Sequence, residues 1–276
     1  MPCVTIRTAQ YFYQISSDQI ASKLPVLILL HGSGGDSSVW EKQIDGFGHD
    51  AAVIAPALPG HGQSDGPLCT TVKDYAVWLN NFVQQLQINR FFLAGHSLGG
   101  AIAQEYARRF PQKVQGLILA GSGLQFMVAA DYLETVKNNF PAAVHASCLA
   151  AYAVGNVSSL YEKGYGMLSR NGKDALSSDL ALCSAFDSTA WVSSIDVPAL
   201  VICGSDDKIM PPESSKPLAR LIPGAQLKIV AEAGHMVMME AAVEFNEAIK
   251  TFIMRTTGIT EGLCDLKQSN KVGQCK

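Results

Sequence analysis

Six short apolar runs recur along the chain, and amphipathic stretches of helical periodicity lie between most of them. Continuous apolar strands are typical of a parallel sheet buried on both faces, and the runs cover residues 25–30, 51–55, 91–94, 116–120, 199–203 and 226–230. The helical stretches cover 71–87, 98–110, 212–221 and 241–254. Strands alternating with helices predict an α/β fold with a doubly wound, mostly parallel sheet. An alternating hairpin at 4–15 brings the predicted sheet to eight strands.

One connection in this pattern is too long for a simple crossover between parallel strands. Residues 124–195 form a stretch of about 70 residues, whereas a crossover needs roughly a dozen or a few more. The stretch carries few charges and has apolar residues at helical spacing. We therefore predict a core formed by 1–123 and 196–254, an inserted helical cap or lid at 124–195, and a polar C-terminal tail at 255–276.

Composition restricts the partners of the protein. Of the 276 residues, 48% are hydrophobic and 16% are charged, as in a well-packed globular protein. A net charge of −3 without a basic cluster argues against nucleic acid as a partner. The first residues lack the charged and apolar segments of a secretory leader, and no apolar run has the length of a membrane span. We expect a cytoplasmic protein without stable membrane association.

The cysteines predict neither a disulfide framework nor a metal site. The seven cysteines are scattered, without Cys-x-x-Cys spacing, and reduced thiols are typical of the cytoplasm. Cys264 and Cys275 in the tail are the one pair worth examining. We predict no metal and no cofactor.

The pentapeptide Gly95-His96-Ser97-Leu98-Gly99 lies between an apolar run and a helical stretch. A sharp turn from strand to helix exposes a serine hydroxyl at the end of the sheet, where a base and a substrate can reach it. Such a turn crowds the backbone two residues before and two residues after the serine, and glycine at both positions relieves the crowding. Ser97 is therefore the predicted nucleophile.

A serine hydroxyl needs a histidine to take its proton, and a carboxylate to orient that histidine. In this arrangement the order along the chain is serine, then acid, then histidine. His235 follows the last apolar run on a glycine loop and is the predicted base. Asp206 and Asp207 both follow the run that ends at Cys203, and either could be the acid; we prefer Asp207.

Two backbone amides are expected to stabilise the oxyanion that forms when the serine attacks a carbonyl. One is the N–H of Leu98, which follows the nucleophile. The other is expected from the glycine-rich loop after Leu30, where Ser33 is preferred and Gly34 is the alternative. The loop matches neither the phosphate-binding nor the dinucleotide-binding glycine pattern, so a nucleotide site is not favoured.

These segments together resemble the signature of the α/β-hydrolase superfamily. The matching segments are Leu30-His31-Gly32-Ser33-Gly34, the 59–65 turn Pro-Gly-His-Gly-Gln-Ser-Asp, Gly95–Gly99, the Gly204–Pro211 segment and Gly234-His235. The resemblance covers about residues 24–254. It implies an α/β-hydrolase fold in which 124–195 is the cap, Ser97, Asp207 and His235 form the triad, and His31 and the 59–65 turn are structural.

The resemblance also restricts the class of reaction that is expected. Superfamily dehalogenases and epoxide hydrolases have an aspartate where Ser97 stands, which excludes both. Carbon–carbon bond hydrolases usually read Gly-Asn-Ser-Met-Gly, and perhydrolases and enol-lactonases tend to have Met at the position of Leu98. Gly-His-Ser-Leu-Gly-Gly is similar to esterases and lipases.

The resulting prediction is a cofactor-independent carboxylesterase that acts on a small, largely apolar ester. Its pocket is expected to include Gly34, Phe126, Met127 and Met236. Two alternatives stay open: a carbon–carbon bond or lactone hydrolase with the same triad, and a ligand receptor on a hydrolase scaffold.

Overall fold

The computed structural model describes residues 1–16, 24–48 and 50–258. They contain one eight-stranded sheet in the order β1-β2-β4-β3-β5-β6-β7-β8. The strands are β1 (Cys3–Ile6), β2 (Ala9–Ile15), β3 (Val26–Leu30), β4 (Ala52–Pro56), β5 (Phe91–His96), β6 (Val114–Ala120), β7 (Ala199–Gly204) and β8 (Gln226–Val230). β1 and β2 form an antiparallel hairpin, β2 is antiparallel to β4, and all other neighbours are parallel. The predicted fold class is confirmed.

Helices flank the sheet, and three of them are inserted between β6 and β7. The helices of the described residues are α1 (Glu41–Gly46), α2 (Val72–Gln85), α3 (Leu98–Arg109), α4 (Ala130–Asn138), α5 (Phe140–Ala151), α6 (Val157–Ala185), α7 (Pro212–Leu221), α8 (Val237–Glu240) and α9 (Ala242–Thr257). The inserted helices are α4, α5 and α6. Gly172 has φ 85° and ψ 173°, so α6 is broken by a kink at that residue.

Successive residues of the central strands enter two cores on opposite faces of the sheet, as the period of two along a strand requires. On one face Ile28 and Leu93 pack with α2 and α3. On the other face Leu27 and Phe92 pack with α9. The residues of β3 and β5 are buried throughout, which agrees with their continuous apolar sequence.

Three local expectations need correction. β8 lies at the edge of the sheet, so Leu227 and Ile229 are 39% and 38% exposed and the strand is not buried on both faces. α1 occupies 41–46, where no helix was predicted. α9 continues to Thr257, three residues into the predicted tail, and ends at the left-handed Gly258. The rest of that tail, with Cys264 and Cys275, lies outside the described residues.

Within the described ranges, no individual helix combines the length and the apolar composition that a membrane crossing requires. The helices Phe140–Ala151 and Val154–Ala185 meet both criteria only when they are counted together, across a bend of 118°.

Candidate active site

Ser97 occupies a strained turn between β5 and α3. Its φ of 52° and ψ of −119° are unusual for a residue with a side chain, and such strain is typical of functional sites. A Cβ added to Gly95 would lie 2.1 Å from the Gly99 carbonyl oxygen, and one added to Gly99 would lie 2.3 Å from the Leu30 carbonyl oxygen. Gly95 is therefore needed for the crowding within the turn that the sequence predicts, whereas Gly99 is needed because the end of β3 approaches it.

Asp207 and His235 are paired at the carboxyl ends of β7 and β8. The Nδ1 atom of His235 lies 2.8 Å from Asp207 Oδ2. Because a carboxylate only accepts hydrogen bonds, Nδ1 carries the proton and Nε2 is left to accept one. Burial opposes the ionised carboxylate, but the His235 ring and the amides of Ile209 and Met210, which all donate hydrogen bonds to it, lower the pKa of Asp207.

Asp206 has a different environment from its neighbour. Its side chain is exposed, and its Oδ1 accepts a hydrogen bond of 2.8 Å from the hydroxyl of Ser205. Of the two aspartates that the sequence left open, Asp207 is the one that contacts His235.

The backbone of His235 is held by the core and by the inserted segment. The Nε2–H of His96 donates to the His235 carbonyl oxygen at 2.9 Å. Burial, together with the nearby His235, lowers the pKa of His96 to about 3, so this ring is neutral at neutral pH. The His235 amide donates to the carbonyl oxygen of Ala151 in α5 at 2.8 Å. The position of His235 therefore depends on contacts with both parts of the chain.

Glu240 strengthens the same junction. One oxygen of its carboxylate accepts from the amide of Gly234 at 3.0 Å, and the other accepts from the amide of Ala153 at 2.8 Å. The side chain of Asn156 adds a third hydrogen bond, of 2.9 Å. Glu240 thus joins the loop that carries His235 to the connection between α5 and α6.

A cavity of about 380 Å³ lies between the inserted helices and the sheet. Ser33, Ser97 and His235 line it from the core, together with Met236. Most of the remaining lining is apolar and comes from the inserted segment, with Phe126, Met127, Tyr132, Met167, Leu168 and Leu176 among the lining residues. Such an apolar cavity with a few convergent polar groups is typical of a small-molecule site.

Three of the four predicted pocket residues, Phe126, Met127 and Met236, line this cavity, whereas Gly34 does not. The amide of Gly34 instead donates to the Asp179 carboxylate at 2.8 Å. Gly34 is therefore neither a pocket residue nor an available oxyanion donor, and both expectations about it are wrong.

The two preferred amide donors differ in their relation to the cavity. Ser33 is a lining residue. Leu98 is fully buried and does not line the cavity with its side chain. As the first residue of α3, however, Leu98 has an amide that no carbonyl of its own helix can accept.

His31 begins the loop that contains Ser33. Its Nδ1–H donates to the Gly32 carbonyl oxygen at 2.9 Å, and its Nε2 accepts from the Leu58 amide at 3.0 Å. Burial, with a further contribution from His61, lowers the pKa of His31 to about 4. The neutral ring thus serves as a fixed structural link, as the resemblance implies.

The sequence analysis missed Glu240, Asn171 and Asp179, which connect the inserted segment with the loops around the cavity. Asn171 donates to the carbonyl oxygens of Gly34 and Gly35 at 2.9 and 3.0 Å. A signal for Asp179 was available, because it falls three residues after Leu176 and four before Cys183, on the buried face of an amphipathic helix.

Within the described ranges, no group of three or more His, Cys, Asp or Glu side chains could hold a metal ion.

The fold and the geometry of this site define an alpha/beta hydrolase. The chain belongs to the alpha/beta hydrolase family, whose model matches residues 27–248. A solved structure of a thermophilic esterase is 30% identical, with a TM-score of 0.82 over 92% of this chain and 97% of that one.

Curated relatives carry other activities in their names. The putative carbamate hydrolase RutD of Yersinia enterocolitica is 27% identical and covers 94% of this chain and 98% of its own length. The 2-hydroxy-6-oxononadienedioate/2-hydroxy-6-oxononatrienedioate hydrolase of Burkholderia vietnamiensis is 28% identical over 83% of this chain and 87% of its own.

Proposed function

We propose that the protein is a serine carboxylesterase that hydrolyses small, largely apolar esters, with Ser97, His235 and Asp207 as its catalytic triad. The observation that carries this proposal is an apolar cavity of about 380 Å³ that Ser97 and His235 line together. The 2.8 Å contact between His235 and Asp207 supports the order of proton transfer.

The reaction proceeds through an acyl-enzyme. Ser97 Oγ attacks the ester carbonyl carbon while His235 Nε2 takes the hydroxyl proton, and the amides of Ser33 and Leu98 stabilise the oxyanion. Collapse of the tetrahedral intermediate breaks the bond to the alkoxide, which leaves with the proton from His235. A water molecule then repeats the sequence at the acyl group, which releases the carboxylic acid and restores Ser97.

The cavity chemistry favours a neutral substrate. Lys208 is the only lysine or arginine among the described residues that line the cavity. A dianion, such as the dioate in the name of the Burkholderia relative, would need several cationic partners to leave water. Carbon–carbon bond or lactone hydrolysis with the same triad is therefore the second candidate, and the cavity does not favour it over the ester.

Location inside the cytoplasm belongs to the same proposal. Cys3, Cys69, Cys148, Cys183 and Cys203 are free thiols, and unpaired cysteines are typical of reducing compartments.

The proposal is tested with a series of p-nitrophenyl esters and with Ser97→Ala. At about 0.8 kcal/mol per buried methylene, kcat/KM should rise roughly three- to fourfold with each added carbon until the cavity is full, and then fall. A fluorophosphonate should label Ser97 stoichiometrically, and Ser97→Ala should be inactive.

Three results would contradict it. These are labelling of a different serine, a profile that is flat with chain length, and activity that rises on long-chain emulsified triglycerides. Ligand binding without turnover would identify a receptor on a hydrolase scaffold instead.

A further inference from the structure

The inserted helix α6 contacts the loop of residues 31–36, called the oxyanion loop below because it contains Ser33. Asp179 of α6 is completely buried, and its Oδ2 accepts the amide of Gly34 at 2.8 Å. The same oxygen lies 2.9 Å from His61 Nε2 in the 59–65 turn. Its Oδ1 lies 3.4 Å from the Tyr75 hydroxyl. A charged side chain of the cap thus reaches two loops of the core.

The partners of His61 determine its protonation state. Its Nε2 faces the Asp179 carboxylate, and its Nδ1 lies 3.1 Å from the Pro59 carbonyl oxygen. Both neighbours only accept hydrogen bonds, so both ring nitrogens must carry protons and His61 is an imidazolium. Burial opposes this charge, but the hydrogen bond and the charge of Asp179 outweigh burial and raise the pKa of His61.

Two further titratable groups lie near His61. Asp36 also favours the imidazolium, whereas the ring of His31, 5.1 Å away, is kept neutral by burial and by the charge of His61. Asp179 and His61 therefore form a buried ion pair between the cap and the core. Such a pair persists only where its hydrogen bonds are complete.

Asn171 contacts the same loop from the kink in α6. Its Nδ2 donates to the carbonyl oxygens of Gly34 and Gly35 at 2.9 and 3.0 Å. Its Oδ1 accepts from the amide of Gly62 at 2.8 Å. Asp179 thus holds the N–H of the peptide group that follows Ser33, and Asn171 holds the C=O of the next peptide group, so neither of the two can rotate freely.

The side chains of α6 pack closely against Gly34. Gly34 has φ +64°, and a Cβ added to it would lie 3.0 Å from the side chains of Leu168 and Leu176. Cys183, four residues after Asp179, places its sulfur 3.4 Å from the Ser33 hydroxyl. The stretch of α6 from Leu168 to Cys183 is therefore packed directly against the backbone beside Ser33.

We propose that Asp179 and Asn171 are positioning residues that aim the Ser33 amide at the substrate oxyanion. In this proposal the second half of α6, defined as residues 171–185, is a fixed part of the catalytic site and not an opening lid. This inference rests on the proposed function, in which the Ser33 amide stabilises the oxyanion. An oxyanion donor must be held to within a fraction of an ångström, since its effect depends on geometry that exists before the reaction.

Asparagine cannot replace the carboxylate of Asp179. One atom, Oδ2, accepts from both Gly34 and His61. An amide oxygen there leaves a neutral His61 with an unprotonated Nδ1 against the Pro59 carbonyl. An amide nitrogen would instead face the Gly34 N–H, so Asp179→Asn disturbs the loop while keeping the volume of the side chain.

The test compares Asp179→Ala, Asp179→Asn and Asn171→Ala with Asp174→Asn, which changes an exposed carboxylate of the same helix. Because a misplacement of 1 Å can cost 10²-fold in rate, Asp179→Ala should lower kcat for p-nitrophenyl butyrate by about 10²-fold and change KM by less than about threefold. The affinity for butaneboronic acid, whose serine adduct mimics the tetrahedral intermediate, should fall by the same factor as kcat. Asp179→Asn and Asn171→Ala should each lower kcat by about tenfold, and Asp174→Asn should stay within about twofold of wild type.

A readout independent of catalysis tests the ion pair. The ¹⁵N resonances of His61, assigned by their loss in His61→Gln, should show two protonated ring nitrogens at pH 6.5 in the wild type but not in Asp179→Asn. A histidine with a raised pKa stabilises the fold fully below its ordinary value of 6.5 and loses that contribution as the pH rises through the folded-state value. The stability advantage of the wild type over Asp179→Asn should therefore shrink above pH 6.5.

The outcomes separate this inference from the proposed function. A wild type that hydrolyses esters while folded Asp179→Ala matches its kcat would overturn the positioning role alone. So would a rise in KM without any loss of boronic acid affinity. A neutral His61 in the wild type would refute the ion pair, and a wild type without hydrolysis or Ser97 labelling would overturn the proposed function and the positioning role that rests on it. If Asp179→Ala does not fold, Asp179→Asn and Asn171→Ala decide the question.

Discussion

The two ends of the helical insertion meet the core in different ways. The second half of α6 is hydrogen-bonded to the backbone of the oxyanion loop through the buried Asp179 and through Asn171. The beginning of the insertion, residues 124–138, is called the front below. There Met127 is 90% exposed, and Val136 is the only buried residue of α4. The hydroxyl of Tyr132 in α4 bonds to Ser147 in α5, which belongs to the insertion itself.

This difference separates two roles that a cap can have. Polar groups buried against the backbone of a catalytic loop fix its geometry, because breaking them leaves unsatisfied partners. Exposed apolar residues at a cavity mouth can change conformation at little cost, and they contribute contact area to a substrate. We therefore expect substitutions where the core and the insertion are hydrogen-bonded to each other to act on kcat. Substitutions at the front should act on substrate selection.

The largest effect is expected in the core, where two adjacent aspartates differ in their contact with His235. Asp207→Asn removes the carboxylate that orients His235, and loss of that role in a triad lowers kcat by a factor on the order of 10⁴. Asp206→Asn changes an exposed side chain that does not contact His235. Steady-state kinetics of the two variants with one short ester should therefore differ by several orders of magnitude.

The opposite ranking would show that the contact between His235 and Asp207 is not the productive one. Circular dichroism of both variants controls for folding, since Asp207 also accepts the amides of Ile209 and Met210.

A smaller effect is expected where Glu240 joins the His235 loop to the insertion. Glu240→Gln replaces one of two acceptor oxygens with a donor, so it opposes the amide of either Gly234 or Ala153. We expect a loss of about 1–2 kcal/mol in the free energy of unfolding. A shift of His235 should lower kcat by about tenfold, measured with the same ester.

Glu247→Gln provides the matched control for Glu240. Its carboxylate is exposed and lies 3.6 Å from Lys250 on the surface of α9, and such pairs contribute little to stability. Equal effects of the two substitutions on the free energy of unfolding and on kcat would mean that the hydrogen bonds of Glu240 contribute no more than an exposed ion pair.

The smallest effect is expected at the front. Met127→Ala removes an exposed side chain that lines the cavity, so kcat for a short ester should stay within about twofold of wild type. The longest ester that the cavity accepts should lose contact with about one methylene or more, which lowers its kcat/KM roughly three- to fourfold.

Val154→Ala is the control, because Val154 is 80% exposed on the insertion and does not line the cavity. If Met127→Ala lowered kcat equally for all chain lengths, the front of the insertion would take part in the chemistry and the contrast with α6 would disappear.

Much of the fold could be predicted because its signals are local. Each apolar run became a strand, and the β8 run has the predicted bounds of 226–230. The burial of β8 was mispredicted, because exposure depends on whether another strand lies beside it, and β8 is at the edge. The turn at Ser97 was predictable in part for the same local reason, since a Cβ on Gly95 would meet the Gly99 carbonyl oxygen within five residues of chain. A Cβ on Gly99, in contrast, would meet the Leu30 carbonyl oxygen of β3, which is distant in the sequence.

The remaining parts of the candidate site depend on residues that are far apart in the chain. Gly34 and Asp179 are separated by 145 positions, and no local pattern indicates that the amide of a glycine loop is already bonded to a cap helix. Gly34 was therefore mistaken for a candidate donor. Phe126 and Met127 line the cavity because they belong to the apolar segment over the sheet, and Met236 lines it because it directly follows His235.

The sequence by itself determined the fold class of this chain and the family to which it belongs. It specified the alternation of strands and helices, the strained serine turn with Gly95, and the order of serine, acid and histidine, because each follows from the sterics of a short segment or from the order of residues along the chain. The sequence already favoured Asp207 over Asp206, but the tertiary structure alone decided that Asp179, Asn171 and Glu240 join the inserted segment to the loops around the cavity. Those contacts form only when distant segments pack together and every buried polar group has to find a partner.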